Sequence, residues 1–166
     1  LKPGGYALFT CFDARKVISL LNNKNNMTIH YTNQKGEKRV LFDIVKKFDD
    51  SVLKQEMIGV GHAIDVHNAI DFQEGVYKTE FLVDMQFLLF EFKKRCNMTL
   101  VDTDTFDNQF YIHKDYFGHI IKYEENPKTQ QFLMKTAEFY NQEDNVNKAS
   151  FQLSSLNRYY IFRKDQ

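Results

Sequence analysis

Histidines, cysteines, carboxylates and closely spaced glycines are the residue types in this sequence that could do chemistry, and their spacing excludes most of it. His62 and His67 stand five residues apart, so in an extended segment they point to opposite faces and cannot share a metal ion. Cys11 and Cys96 are too far apart to read as a zinc site or a disulfide framework, and so sparse a use of cysteine points to a reducing compartment. Gly59-Val60-Gly61 begins a glycine-rich phosphate cradle, yet Ile64 stands where its third glycine would fall and no helical pattern follows. A strand from Met57 to Phe72 with a close backbone approach is the better reading there. No Ser-His-Asp spacing, Cys-His pair or carboxylate dyad stands out, so we expect neither a catalytic nucleophile nor acid/base machinery.

The elements that must position any site alternate between strands and helices. Leu1-Lys2-Pro3-Gly4-Gly5 is turn chemistry leading into a buried strand, Tyr6 to Thr10, after which Asp13 caps a helix from Ala14 to about Leu21. Met27 to Thr32 and Lys38 to Val45 flank Gln34-Lys35-Gly36-Glu37 as a hairpin. From Thr79 to Cys96 the apolar residues Phe81, Leu82, Met85, Leu88, Leu89, Phe92 and Cys96 follow three-and-four spacing, which predicts one long amphipathic helix capped by Thr79. A strand from Met98 to Asp102, an irregular aromatic stretch from Phe106 to Phe117, and a helix opened by Asn126-Pro127 and running to about Tyr140 come next. A polar loop from Asn141 to Lys148 and a last strand, Tyr159-Tyr160-Ile161-Phe162, complete a layered α/β pattern.

Composition narrows the partners. The chain has 166 residues with 22 Lys+Arg against 22 Asp+Glu, so its formal charge is zero and a polybasic nucleic-acid binder acting by charge alone is excluded. Any contact with nucleic acid must therefore be local. There is no apolar run long enough to span a membrane, and no membrane partner is expected. Asn26-Met27-Thr28 and Asn97-Met98-Thr99 match glycosylation sequons, tripeptides that recur by chance. Abundant Phe, Tyr, Asn and Lys fit an AT-rich genome. Because the chain opens at Leu1 inside a structured motif, we expect it to be a piece of a longer polypeptide.

Three segments together carry a resemblance. Leu1-Lys2-Pro3-Gly4-Gly5-Tyr6 leading into Phe9-Thr10-Cys11-Phe12-Asp13 resembles the strand entry of mRNA cap guanine-N-7 methyltransferases; Glu80-Phe81-Leu82-Val83 looks like that family's P-E-[FY]-L-V segment; and Tyr159-Tyr160-Ile161-Phe162 resembles its terminal Y-x-V-F strand. Thr79 stands where the family often has proline, and Phe12 where a proline follows the threonine. The stretch from Leu21 to Asp50 is longer than in cellular members, which points with the composition to a large DNA virus capping enzyme.

The resemblance implies a partial Rossmann-like (class I) methyltransferase fold: residues 1–166 as the C-terminal half of one domain, with an inserted β-rich segment, and the S-adenosylmethionine-binding half upstream. It implies a cap site including Glu80, Tyr159 and Phe12. Glu80 would accept from the ring N–H and exocyclic amine of guanine, helped by a helix N-terminus if Thr79 caps the helix; otherwise it is an acid at a helix start. Tyr159 would offer a ring for stacking and a hydroxyl to base or ribose, with Tyr160 leaving the face open; Phe12 would border the pocket by position. Arg158, Arg163 and Lys164 read as a solvated basic end, or as contacts to the triphosphate bridge. The implied partners are the capped RNA 5′ end, the rest of a capping polypeptide and a stimulatory subunit, in a cytoplasmic viral factory or virion, or in the nucleus for a cellular enzyme. The alternative is an inactive methyltransferase-like subunit that stimulates a catalytic partner, and a third class is a small-molecule methyltransferase.

Overall fold

The computed structural model describes all residues except 34, 55–58, 70–72 and 74, and of residues 53 and 54 the backbone alone. Among the described residues seven strands form two antiparallel sheets. Strands β1 (Tyr6–Phe12), β6 (Met98–Thr105) and β7 (Asn157–Lys164) make the first, in the order β1-β7-β6. Both outer strands run antiparallel to β7 and hence parallel to each other. Strands β2 (Asn26–Thr32), β3 (Lys38–Lys46), β4 (His62–Asn68) and β5 (Lys78–Leu82) make the second, a meander in chain order. The chain is thus mixed α/β, with antiparallel pairing in both sheets.

Period-two alternation builds the first sheet. Phe9 faces Tyr160 across β1 and β7, and Tyr160 and Phe162 are wholly buried under helix α2 (Met85–Cys96). Phe162 lies 4.3 Å from the ring of Phe92 and 5.9 Å from that of Phe9. Offset aromatic contacts of this kind add to plain area burial. The second sheet turns Phe42, Ile44, Ile64, Val66 and Leu82 toward Val17, Ile18 and Leu21 and toward Ala149. These come from helices α1 (Ala14–Leu20) and α5 (Asn145–Ser154).

The expected helix from Thr79 to Cys96 is two elements. Thr79 and Glu80 belong to β5, where Leu82 is buried while Phe81 is 64% exposed, a period of two. Asp84 rather than Thr79 caps the helix, accepting from the backbone N–H groups of Gln86 and Phe87. Glu80 therefore gains nothing from a helix dipole. Two further helices replace expected irregular segments: α3 (Phe106–Tyr123) takes up the aromatic stretch, and α5 starts within the supposed polar loop. Helix α1 with its Asp13 cap, the β2-β3 hairpin, and α4 (Pro127–Glu138) form as expected. Gly59 and Gly61 lie in a bend before β4 rather than inside a strand, and Gly61 has φ +93, which favours glycine. Of that expectation His62–Asn68 does form a strand, β4; its residues 57, 58 and 70–72, and the turn residue Gln34, fall outside the described residues.

The start of α3 is held by carboxylates. Asp104 accepts from the Thr105 N–H and from the side chains of Asn108 and Gln109, and Asp107 takes the Lys16 ammonium at 2.6 Å. Desolvation opposes ionisation of both, but these donors and the charges of Arg158 and Lys16 outweigh it, holding both carboxyls below the ordinary 3.8. In the unfolded chain they take up protons at higher pH than in the folded one. Their stabilisation is therefore complete above the unfolded value and is lost as pH falls through the lower, folded ones. We expect amides of α3 to lose hydrogen-exchange protection in that acid range, and Asp104→Asn with Asp107→Asn to flatten the dependence. An unchanged acid profile in the double variant would contradict this.

Candidate functional site

Two aspartates at strand ends bring the sheets together. Asp13, just after β1, forms an isolated parallel bridge with Val83, just after β5. Each carries an ion pair from a distant element: Arg158 Nε donates to Asp13 at 2.8 Å, and Arg15 Nε to Asp84 at 2.9 Å. Asp84 is fully buried, so it needs both its helix amides and its arginine. Arg158 is accordingly a fixed structural contact and not part of a solvated basic end. Lys164 Nζ donates to the Cys96 carbonyl, while Arg163 is exposed.

This join opens a cleft of about 470 Å³ whose walls include Thr10 and Phe12 of β1, Asn157 of β7 and Lys78 and Glu80 of β5. Glu80 pairs with Ile64 and so shares the core-facing side of its sheet, on the last strand of the meander, where the core gives way to the cavity. Its carboxylate is half-buried and has no hydrogen bond or ion pair among the described residues. A carboxylate placed so is ready to accept from a guest with two neighbouring donors. Burial chiefly, then the charge of Asp13, pushes the Cys11 thiol up, against Arg158 and with a further contribution from Glu80. That keeps the thiol protonated and a poor nucleophile.

Of the three residues singled out in the sequence, Glu80 and Phe12 meet in this cleft. Tyr159 stands directly across from Thr10 and two residues along from Asn157, on the same sheet face. It does not line that cleft, however, but a separate aromatic cavity of about 420 Å³ with Phe106, Phe110, Tyr140 and Phe151. Its hydroxyl donates to Asp102 at 2.8 Å, the contact that raises its pKa. Tyr160 lies on the opposite face, in the core. Lys78, Asn68 and Asn157 also line the cleft and were not singled out in the sequence; no local signal marks residues gathered from three strands.

The histidines behave as polar strand residues. His67 is buried with Nδ1 2.9 Å from the Val76 carbonyl, and His62 lies edge-on to Phe48. Among the described residues no group of three metal-ligating side chains comes together, and no helix is long and apolar enough to cross a membrane.

Fold and cleft together define a mixed α/β segment with a carboxylate-bearing pocket at the join of two sheets. Over 99% of its length the chain is 36% identical to a protein of Acanthamoeba polyphaga mimivirus named Probable mRNA-capping enzyme, of which it spans 14%. No family model matches the chain. It is similar from end to end to one segment of a much longer capping enzyme of a large DNA virus, and the resemblance read from the three motifs is borne out at that level.

Proposed function

We propose that this chain is the C-terminal part of a domain that methylates N-7 of the mRNA cap guanine, within a viral capping polypeptide acting in a cytoplasmic factory or virion. The observation that carries it is Glu80, a half-buried carboxylate without a partner among the described residues, in a cleft it shares with Phe12. Guanine presents a ring N–H and an exocyclic amine side by side, and one ionised carboxylate accepts from both; adenine lacks that pair of donors. Phe12 offers the base an apolar wall, and Tyr159, across the strand pair from Thr10, lines the separate aromatic cavity, which we read as a place for ribose or a neighbouring base.

Methyl transfer by direct displacement needs no protein nucleophile, so a protonated Cys11 is compatible with it. As N-7 is methylated the base becomes positive. A fixed carboxylate on its opposite edge is then attracted more strongly to the transition state than to the substrate. S-adenosylmethionine supplies the methyl group when bound. Among the described residues the cleft's lining has no glycine-rich turn and only Glu80 as a carboxylate, so they do not fit the donor beside the base. The donor's site is assigned to polypeptide outside this chain.

Titrating a cap dinucleotide into the full-length polypeptide, with and without Glu80→Gln, tests the proposal. Weakened binding is expected. Unchanged affinity would overturn it and favour the alternative, a methyltransferase-like subunit that stimulates a partner.

A further inference from the structure

The cleft that holds Glu80 also holds a cation. Lys78 lines it two residues earlier on β5, and among the described residues the lining has no charged side chain besides these two. The strand's period of two puts both on one face, while Thr79 between them turns the other way and donates to Asp65 at 2.6 Å. Along the shared face burial deepens from Lys78, which is exposed, through half-buried Glu80 to Leu82 at 1% exposure. Lys78 therefore stands toward solvent and Glu80 further in.

The two charges lie about 6.6 Å apart along the strand and do not pair with each other. Lys78 has no hydrogen bond or ion pair among the described residues. Nearby cations are engaged elsewhere: Lys47 with Asp65 at 2.9 Å, Arg158 with Asp13 at 2.8 Å and Arg15 with Asp84 at 2.9 Å. An acceptor within the cleft and a cation at its solvent side, neither satisfied by the other, suit a guest that donates at one end and is anionic at the other.

We propose that Lys78 holds the phosphate bridge of the guest whose base Glu80 reads, and so makes the cleft prefer a guanine that carries phosphates to guanine alone. This rests on the cap reading of the Glu80 cleft and deepens it by assigning a second binding residue. A flat, uncharged base costs little to take out of water, whereas a phosphate chain is costly to desolvate and belongs at the solvent side. There a lysine ammonium acts as a point charge with three donors on a flexible stem. Phosphates are common to every cap, so Lys78 adds affinity without reading the base.

The test uses the full-length polypeptide with Lys78→Met, which keeps most of the stem and removes the charge, and Lys78→Arg beside it. Guanosine-capped and inosine-capped dinucleotides should both weaken about tenfold on Lys78→Met and by the same factor, leaving the preference between them as it was. Added salt should weaken dinucleotide binding by the parent more than by that variant. Lys78→Arg should bind within about threefold of the parent. Dinucleotide affinity that does not move on Lys78→Met would overturn the proposal. So would a changed preference between guanosine and inosine, which would mean that Lys78 acts through Glu80 and not on the phosphates. Failure of the cap reading shows separately, as dinucleotide binding indifferent to Glu80→Gln.

Discussion

Glu80→Gln in the full-length polypeptide is expected to weaken binding of a cap dinucleotide roughly ten- to hundred-fold, about 1.5–3 kcal/mol for hydrogen bonds to a charged group. The substitution keeps the side chain's shape, so packing beside Ile64 and Leu82 should survive. What changes is the chemistry offered to the guest. A carboxylate accepts at both oxygens, whereas an amide accepts at one position and donates at the other, so one of guanine's two donors meets another donor. Because Glu80 has no partner of its own among the described residues, no ion pair is broken by the change, and the loss reads out binding rather than folding. An unaltered melting profile alongside lost affinity would separate the two.

Phe162→Ala is expected to destabilise the first sheet by about 3–5 kcal/mol, the usual cost of emptying a buried aromatic site. Phe162 is fully buried, stacks on Phe92 of α2 at 4.3 Å and on Phe9 of β1 at 5.9 Å, and sits on the central strand. No neighbouring strand can relax into the space without disturbing two ladders. Hydrogen exchange of the β7 amides is the suitable measurement, because a chain within a longer polypeptide need not unfold in two states. Their exchange should speed up at least about a hundredfold, and a change below about tenfold would mean that α2 does not depend on this contact.

How much of this was legible in the sequence depended on whether the signal was local. Asp13 ahead of Ala14, Asn126 ahead of Pro127, and the paired runs around Lys35-Gly36 each encode their element within a few residues, and each formed as expected. Glu80 was misplaced on a helix because Phe81 and Leu82 extend the three-and-four spacing of α2 backward by chance. The competing signal was Asp84, whose carboxylate caps the helix one residue before Met85. Helix α3 was hidden by its own composition: Phe110 is buried, while Tyr111, Ile112, Tyr116 and Tyr123 are exposed, so no single apolar stripe marks it. Helix α5 begins in an asparagine-rich stretch that propensity alone assigns to a loop, until packing of Ala149 against the second sheet decides otherwise.

The site was legible in part for the same reason. Motif resemblance picked out Glu80, Phe12 and Tyr159 one at a time. Their arrangement depends on the Asp13–Val83 bridge and the two arginine–aspartate pairs, which join residues far apart in the chain.

The central claim is that Glu80 reads the edge of guanine, and the most direct measurement compares guanosine-capped with inosine-capped dinucleotides on the parent polypeptide and on Glu80→Gln. Inosine lacks the exocyclic amine, so the parent should bind it less tightly than guanosine by roughly tenfold, about the worth of one charge-assisted hydrogen bond. The variant should discriminate far less between the two. A guanosine preference that persists undiminished without the Glu80 carboxylate would contradict the account.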